Sequence, residues 1–377
     1  IAEAIINPAT NSPTDWSSQL ILLTADNIVI DGLTLDGDNP SFGGTGDYNV
    51  SMGIVDFTGQ ANVWIKNNII QNIATVGVIL ADDAGSMTSG NVINDNKIDN
   101  ISPTAGFGIG VYTGNNTYAD ITNNHMTNVR KGIQGGENNY LANTGNVNPV
   151  WSGNVIQSYK IGIWNNLAYG SATPVSITGN TVTSVSGSTI NSGIEISSIG
   201  QAASVLVSNN TVSGAMAGIN LWNNPTTTPL AIGANTFINC DYGVFANNYD
   251  GYNSNAGNSS YILNGGTITN PLIAGIYVKD NDLNSNNATV AVNVSGTAIS
   301  GSATGMAAFL VEGKDATISF SGATPQAIVT GAPKYFVLRT NGTDVPAGNI
   351  DATAVLFDTK LGSVMTLTDL FATEDKI

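Results

Sequence analysis

One short segment recurs along this chain, and the recurrence limits the fold more than any other feature. Residues 62–72 read NVWIKNNIIQN, 91–100 NVINDNKIDN, 119–128 ADITNNHMTN, 150–158 VWSGNVIQS, 175–184 VSITGNTVTS, 205–214 VLVSNNTVSG and 230–239 LAIGANTFIN. An earlier copy lies at 28–37 (IVIDGLTLDG), and weaker ones follow at 262–270 and 294–301. The shared frame is apolar, any, Asn/Gly, Asn, any, apolar, any, Asn/Ser/Gly. Its second Asn falls on Asn68, Asn96, Asn124, Asn154, Asn180, Asn210 and Asn235, then on Gly266 and Thr297, with steps of 28, 28, 30, 26, 30, 25, 31 and 31 residues. A constant frame with variable gaps is what a solenoid gives: fixed rungs and loops of free length.

Spacing inside each copy decides between strand and helix. The apolar positions are rich in β-branched residues, and Asn and Gly at the centre oppose a helix. A Gly followed by an aliphatic comes after each copy. The pairs are Gly77–Val78, Gly108–Ile109, Gly132–Ile133, Gly162–Ile163, Gly193–Ile194, Gly218–Ile219, Gly243–Val244, Gly275–Ile276 and Gly305–Met306. One period then coils once, and each strand pairs in parallel with its equivalent about 4.8 Å away. The expected inward columns are Ile65, Ile93, Ile121, Trp151, Ile177, Val207, Ile232, Leu263 and Ile70, Ile98, Met126, Ile156, Val182, Val212, Phe237, Ile268. The Asn column is placed at the bend, where Asn tolerates left-handed backbone angles and amides can bond along the stack. The fold class is all-β: a right-handed parallel β-helix of roughly ten coils, its hand set by crossover chirality. Three regions are expected: an entry segment 1–24, the β-helix 25–312, and terminal coils with a capping or junction segment 313–377. Within the last, Thr366 and Asp369 have capping-box spacing ahead of a short helix.

These residues resemble the pectate-lyase-like β-helix superfamily, as it occurs in repeat regions of large bacterial secreted and cell-surface proteins. The resemblance covers roughly residues 25–312, and the segment 355–377 resembles a junction sequence between β-helix segments of such proteins. It implies an extracellular or cell-surface location. It does not fix function, since this fold carries lyases, hydrolases, epimerases, tailspikes and adhesins.

Composition removes other classes. Lys+Arg is 11 and Asp+Glu is 27, a net charge of −16, and charged residues make up only 10%. Such a chain suits neither nucleic acid nor an anionic membrane. Its single Cys240 and single His125 exclude a disulfide framework and a multi-cysteine or His-based metal centre. No apolar run is long enough to insert in a membrane. Residues Ile1 to Asn7 lack a basic, apolar leader, so the chain reads as a mature or excised piece.

The outward residues two after each column Gly are expected to form the functional face. Trp164, Glu195, Asn220, Phe245 and Tyr277 fall there, with Tyr112 and Trp222 two residues further on. Exposed aromatics beside a carboxylate and amides offer a sugar an apolar face and hydroxyl partners. A hydrolase needs two carboxylates about 5–9 Å apart. Glu195, the weak catalytic candidate, has no acidic partner one coil away, and Asp82, Asp83 and Glu137 lie coils earlier. Arg130 and Lys131, adjacent at the bend before a strand, lack an acidic cluster. Calcium is the only ion with candidates. Asp280, Asp282 and Asn284 alternate like the start of an EF-hand loop, without its Gly at the sixth position or Glu at the twelfth. No other cofactor is expected. The reading is a non-catalytic extracellular β-helix module, structural or adhesive. Its expected partners are a polysaccharide or surface glycan and neighbouring modules or copies end to end. The alternative is a polysaccharide lyase, hydrolase or epimerase.

Overall fold

In the computed structural model the chain is described except for residues 1–3, 44–46, 82–87, 103–106, 138–147, 167–174, 187–188, 198–204, 223, 225–227, 250–257, 282–288, 305, 314–315, 323–327, 333, 341–342, 345–356, 360–362 and 366–377. The fold is a parallel β-solenoid of about nine turns, against the roughly ten expected. The helix expected from Thr366 lies outside the described residues. Two compact units divide the chain, Ile1–Asn191 and Ser192–Ile377.

In the first unit like strands pair in parallel into three faces, and in two turns one strand, His125–Glu137 or Val155–Asn166, runs through both the second and the third. The first face stacks Ile30, Ile65, Ile93, Ile121, Trp151 and Ile177 in register. The second stacks Leu35, Ile70, Ile98, Met126, Ile156 and Val182. The third stacks Ile21, Ile54, Val78, Val111, Ile133 and Ile163. Nearly all of these side chains are fully buried, and they form the core. Trp151, at 2% exposure, sits in it among aliphatics. His125 is exposed and lies in register with Lys97.

The second unit has three such columns among its own strands. Val207, Ile232, Leu263, Val294 and Phe320 are in register. So are Val212, Phe237, Ile268, Ile299 and Val329, and Ile219, Val244, Ile276, Phe309 and Phe336. The last turns fill with aromatics. Phe309 stacks on Phe336 at 4.9 Å and meets Phe320 edge-on at 5.0 Å.

The amide ladder forms at the first corner. Asn96 donates its backbone N–H and its Nδ2 to Asn124 Oδ1, at 3.0 and 2.9 Å. Asn68 does the same to Asn96, Asn124 to Asn154, and Asn154 to Asn180, all within 2.9–3.0 Å. In the second unit Asn210 repeats it on Asn235. Asn68, Asn96, Asn124, Asn154, Asn180 and Asn235 also donate to a main-chain oxygen of the preceding turn, as Asn124 does to Ile93 at 2.9 Å.

Two expectations need correction. The left-handed residue at this corner is not the ladder Asn but the one before it: Asn67, Asp95, Asn123, Gly153, Gly179 and Asn209 all have φ between 55° and 66°. The frame's "Asn/Gly, Asn" pair thus has two jobs, a backbone turn and then a buried amide. The column Gly was also misplaced twice. Register puts Val111, not Ile109, beside Val78 and Ile133, so Gly110 replaces Gly108 in the column. Likewise Phe309 pairs with Ile276, so Ala308 stands there and not Gly305. These glycines are needed for space. A Cβ on Gly132 would stand 2.5 Å from the Gly162 carbonyl oxygen and 2.5 Å from Ile156 Cγ2.

Candidate functional site

Alternation sends Ile79 outward beside the inward Val78, but Gly77 also faces the core, where a Cβ on it would meet Ile98 and Ile101, so alternation breaks and Val76, three residues before Ile79, lies outward with it. In the first unit the outward positions form two rows, Val76–Ile109–Lys131 and Val55–Ile79–Tyr112–Gln134–Trp164. Tyr112 therefore belongs to the same row as Trp164, two rungs away, and not to a row two residues further on. Gly108 precedes the column Gly110 by two residues, and a count from it sets Tyr112 one outward position too far along.

These rows floor a cleft of about 520 Å³. Phe57 and Tyr112 pack on an apolar bed of Met52, Val55, Val76, Ile79, Ala81 and Ile109. Trp16 and Phe107 line it too, their rings edge-to-face at 4.8 Å, and they remain 48% and 43% exposed. Trp164 closes the row. Lys131 Nζ lies 4.3 Å from the Trp164 ring centre and donates to Gln134 Oε1 at 2.8 Å, so a cation and an amide fix the indole. Asn115 completes the lining, and no carboxylate is among its described residues. Arg130 and Lys131 fall where the strand His125–Glu137 passes from the second face to the third: Asn128 just before them has φ 53°, and the pairing shifts register between Met126 and Val129 and again before Lys131.

Trp16, Phe57 and Phe107 escaped the sequence reading. Trp16 and Phe107 lie outside the strands and no repeat frame indexes them. Phe57 lies just beyond the strand Met52–Asp56, in a turn whose Gly–aliphatic pair, Gly53–Ile54, is not among the nine pairs read from the sequence.

In the second unit the outward row reads Asn220–Phe245–Tyr277–Leu310. Its expected exposure is not found throughout. Glu195 is 7% exposed and Tyr277 5%; Phe245 and Trp222 are half-buried. Phe245 stacks on Tyr277 at 4.8 Å, and Tyr242 joins them at 5.7 and 5.0 Å, over Ala274, Ala307 and Leu310. The rung spacing brings these rings to stacking distance, so they cover each other rather than stand open.

Glu195 is held in a relay of amides. Ser192 Oγ donates to its Oε2 at 3.0 Å and Asn220 Nδ2 at 3.2 Å, and Asn247 Nδ2 donates to Asn220 Oδ1 at 2.9 Å. Trp222 is in register with Asn247, then Lys279 and Glu312. Glu312 accepts from the Tyr277 hydroxyl and lies 3.6 Å from Lys279 Nζ. These carboxylates are bound up by neighbouring rungs.

Asp280 is buried, and Asp282 and Asn284 lie outside the described residues. Among the described residues no three of His, Cys, Asp and Glu gather to hold a metal ion, and no helix is long and apolar enough to cross a membrane.

No protein-family model matches the chain, and no curated protein matches it. Two solved structures are similar. One is the pre-mature form of bacteriophage phi29 gene product 12, at 17% identity and a TM-score of 0.39, covering 85% of this chain and 46% of that one. The other is an N-terminal fragment of the same phage protein, at 18% identity and a TM-score of 0.35, covering 85% and 59%. The chain spans about half the length of the chains it matches.

Proposed function

We propose that this protein is a non-catalytic β-solenoid, extracellular and structural, that holds a glycan against the aromatic cleft of its first unit. The observation that carries the reading is the cleft itself. Five aromatic side chains and an apolar floor meet one amide pair and one cation, with no carboxylate among the described lining residues. Sugar rings bury their C–H faces on aromatics and spend hydroxyls on amides, so this lining suits them. Glycoside hydrolysis needs two carboxylates flanking the bond, and Glu195, the acid singled out in the sequence, is buried and tied to Ser192 and Asn220.

The test is a broad glycan array on the intact chain, followed by calorimetry on the hits. Trp164→Ala is expected to weaken binding at least tenfold, ~1.4 kcal/mol, with the thermal melt little changed. Lys131→Ala, which frees the indole, should weaken it less. Retained binding in both variants would remove the cleft from the reading. Reproducible turnover of a polysaccharide abolished by Glu195→Gln would instead establish an enzyme.

A further inference from the structure

The cleft has a direction, and the direction selects a ligand. Its floor crosses four successive rungs: Val76, Ile79 and Ala81 on the first, Ile109 and Tyr112 on the next, Lys131 and Gln134 on the third, and Trp164 on the fourth. It therefore runs along the stacking direction, across the strands and not along them. Tyr112 and Trp164 occupy one outward row with Gln134 between them. Two strand spacings separate them, roughly 10 Å.

We infer that the cleft takes a neutral, extended β-1,4-linked polysaccharide lying parallel to the coil axis, with Tyr112 and Trp164 contacting alternate rings, one ring lying between them over Gln134. This rests on the glycan-contact reading. Two features carry it beyond that reading. The first is commensurability. Each ring of an extended β-1,4 chain advances about 5 Å, close to the rung spacing of about 4.8 Å, so one sugar meets one rung, and alternate rings meet the two aromatics. A helical or strongly curved glycan loses this match after one ring. The second is charge. The whole chain carries −16, which opposes a polyanion. The described lining has no carboxylate for a polycation, and its one cation already engages Trp164 and Gln134. A neutral chain meets neither obstacle.

The experiment is a length series on the intact protein: soluble gluco-, xylo-, manno- and N-acetylglucosamine β-1,4-oligosaccharides of two to six rings, measured by calorimetry. Curved β-1,3-glucan and anionic α-1,4-galacturonate oligomers serve as controls. Three rings is the shortest length that reaches both Tyr112 and Trp164. Affinity for at least one β-1,4 series is expected to rise tenfold or more between two and three rings. Tyr112→Ala and Trp164→Ala should each abolish that step, and Tyr112→Phe should keep it. Equal affinity for two and three rings, or preference for either control, overturns the axial arrangement. If Trp164-dependent glycan binding persists in that case, the broader reading stands. No binding to any of the four series, with hits elsewhere on the array, overturns the inference alone. No glycan binding at all overturns both.

Discussion

The buried amide is the smallest unit that explains the winding. Asn124 Oδ1 accepts both the N–H and the Nδ2 of Asn96, while its own Nδ2 satisfies Ile93 and Asn154. Asn124→Ala orphans several groups of two neighbouring turns at once. At about 1–3 kcal/mol for each unsatisfied buried group, a loss of several kcal/mol is expected in chemical denaturation, far above that of an outward Asn. Asn67→Ala tests the other member of the pair. That position has φ 55°, so its cost is backbone strain of about 1–2 kcal/mol, and Asn67→Gly should be nearly neutral. Equal losses at Asn124 and Asn67 would contradict this division of labour. Asp56 carries a pH effect. Burial pushes its carboxyl above the ordinary 3.8, opposed by the backbone N–H groups of Thr58 and Gln60 at 2.9 and 2.7 Å. The folded state thus holds this proton more tightly than the unfolded chain. Its contribution to stability is fully present below 3.8 and is lost as pH rises through the raised value. A carboxyl titration followed by NMR should find Asp56 titrating above 3.8, and a value at or below it would reverse the sign.

Strand by strand, the glycine column sets how closely the third face can pass the second. Gly132→Ala drives a Cβ into the Gly162 carbonyl and Ile156, both 2.5 Å away. Overpacking of that kind costs about 1–3 kcal/mol. Adding Ile156→Ala removes both the Cγ2 and the Cδ1 that the new Cβ meets, so the double variant should lose less than the two single losses added together, which thermal melts read directly, whereas the same two changes at distant sites would simply add. This element also shows what could be read beforehand. The ladder Asn residues, the inward columns and the buried Trp151 were legible because a one-residue slip would turn every apolar side chain outward. Gly108 and Gly305 were misread because a Gly-aliphatic pair carries no register of its own; only hydrogen-bonded pairing separates Gly108 from Gly110. The outward rings of Phe245 and Tyr277 were legible as a row but not as a covered cluster, since exposure depends on Tyr242 of Phe245's own strand and on Ala307 and Leu310 of the turn after Tyr277. Trp16 and Phe107 were invisible for a related reason: they reach the cleft from outside the repeat, where period says nothing.

At the scale of the whole chain, charge and repetition govern behaviour. With 27 acidic against 11 basic residues, a net charge of −16, self-repulsion is expected to outweigh pairings such as Lys66–Asp31 and Lys279–Glu312. Raising salt from ~10 to ~150 mM shortens the screening length from about 30 to 8 Å and should raise the melting temperature; a fall would mean that specific pairs dominate. The ladder has a further outcome. Asn68, Asn96 and Asn124 bond to one another through the same atoms at the same 28-residue interval, and stability in such arrays is close to a sum over nearest neighbours. Excising residues 96–123 would bring Asn68 against Asn124, an equivalent joint. The shortened protein should still fold and melt cooperatively, while excision of half that length should not. Size in this molecule is therefore quantised: it can grow or shrink by complete turns, and anything gripped along the groove is measured out in the same increments.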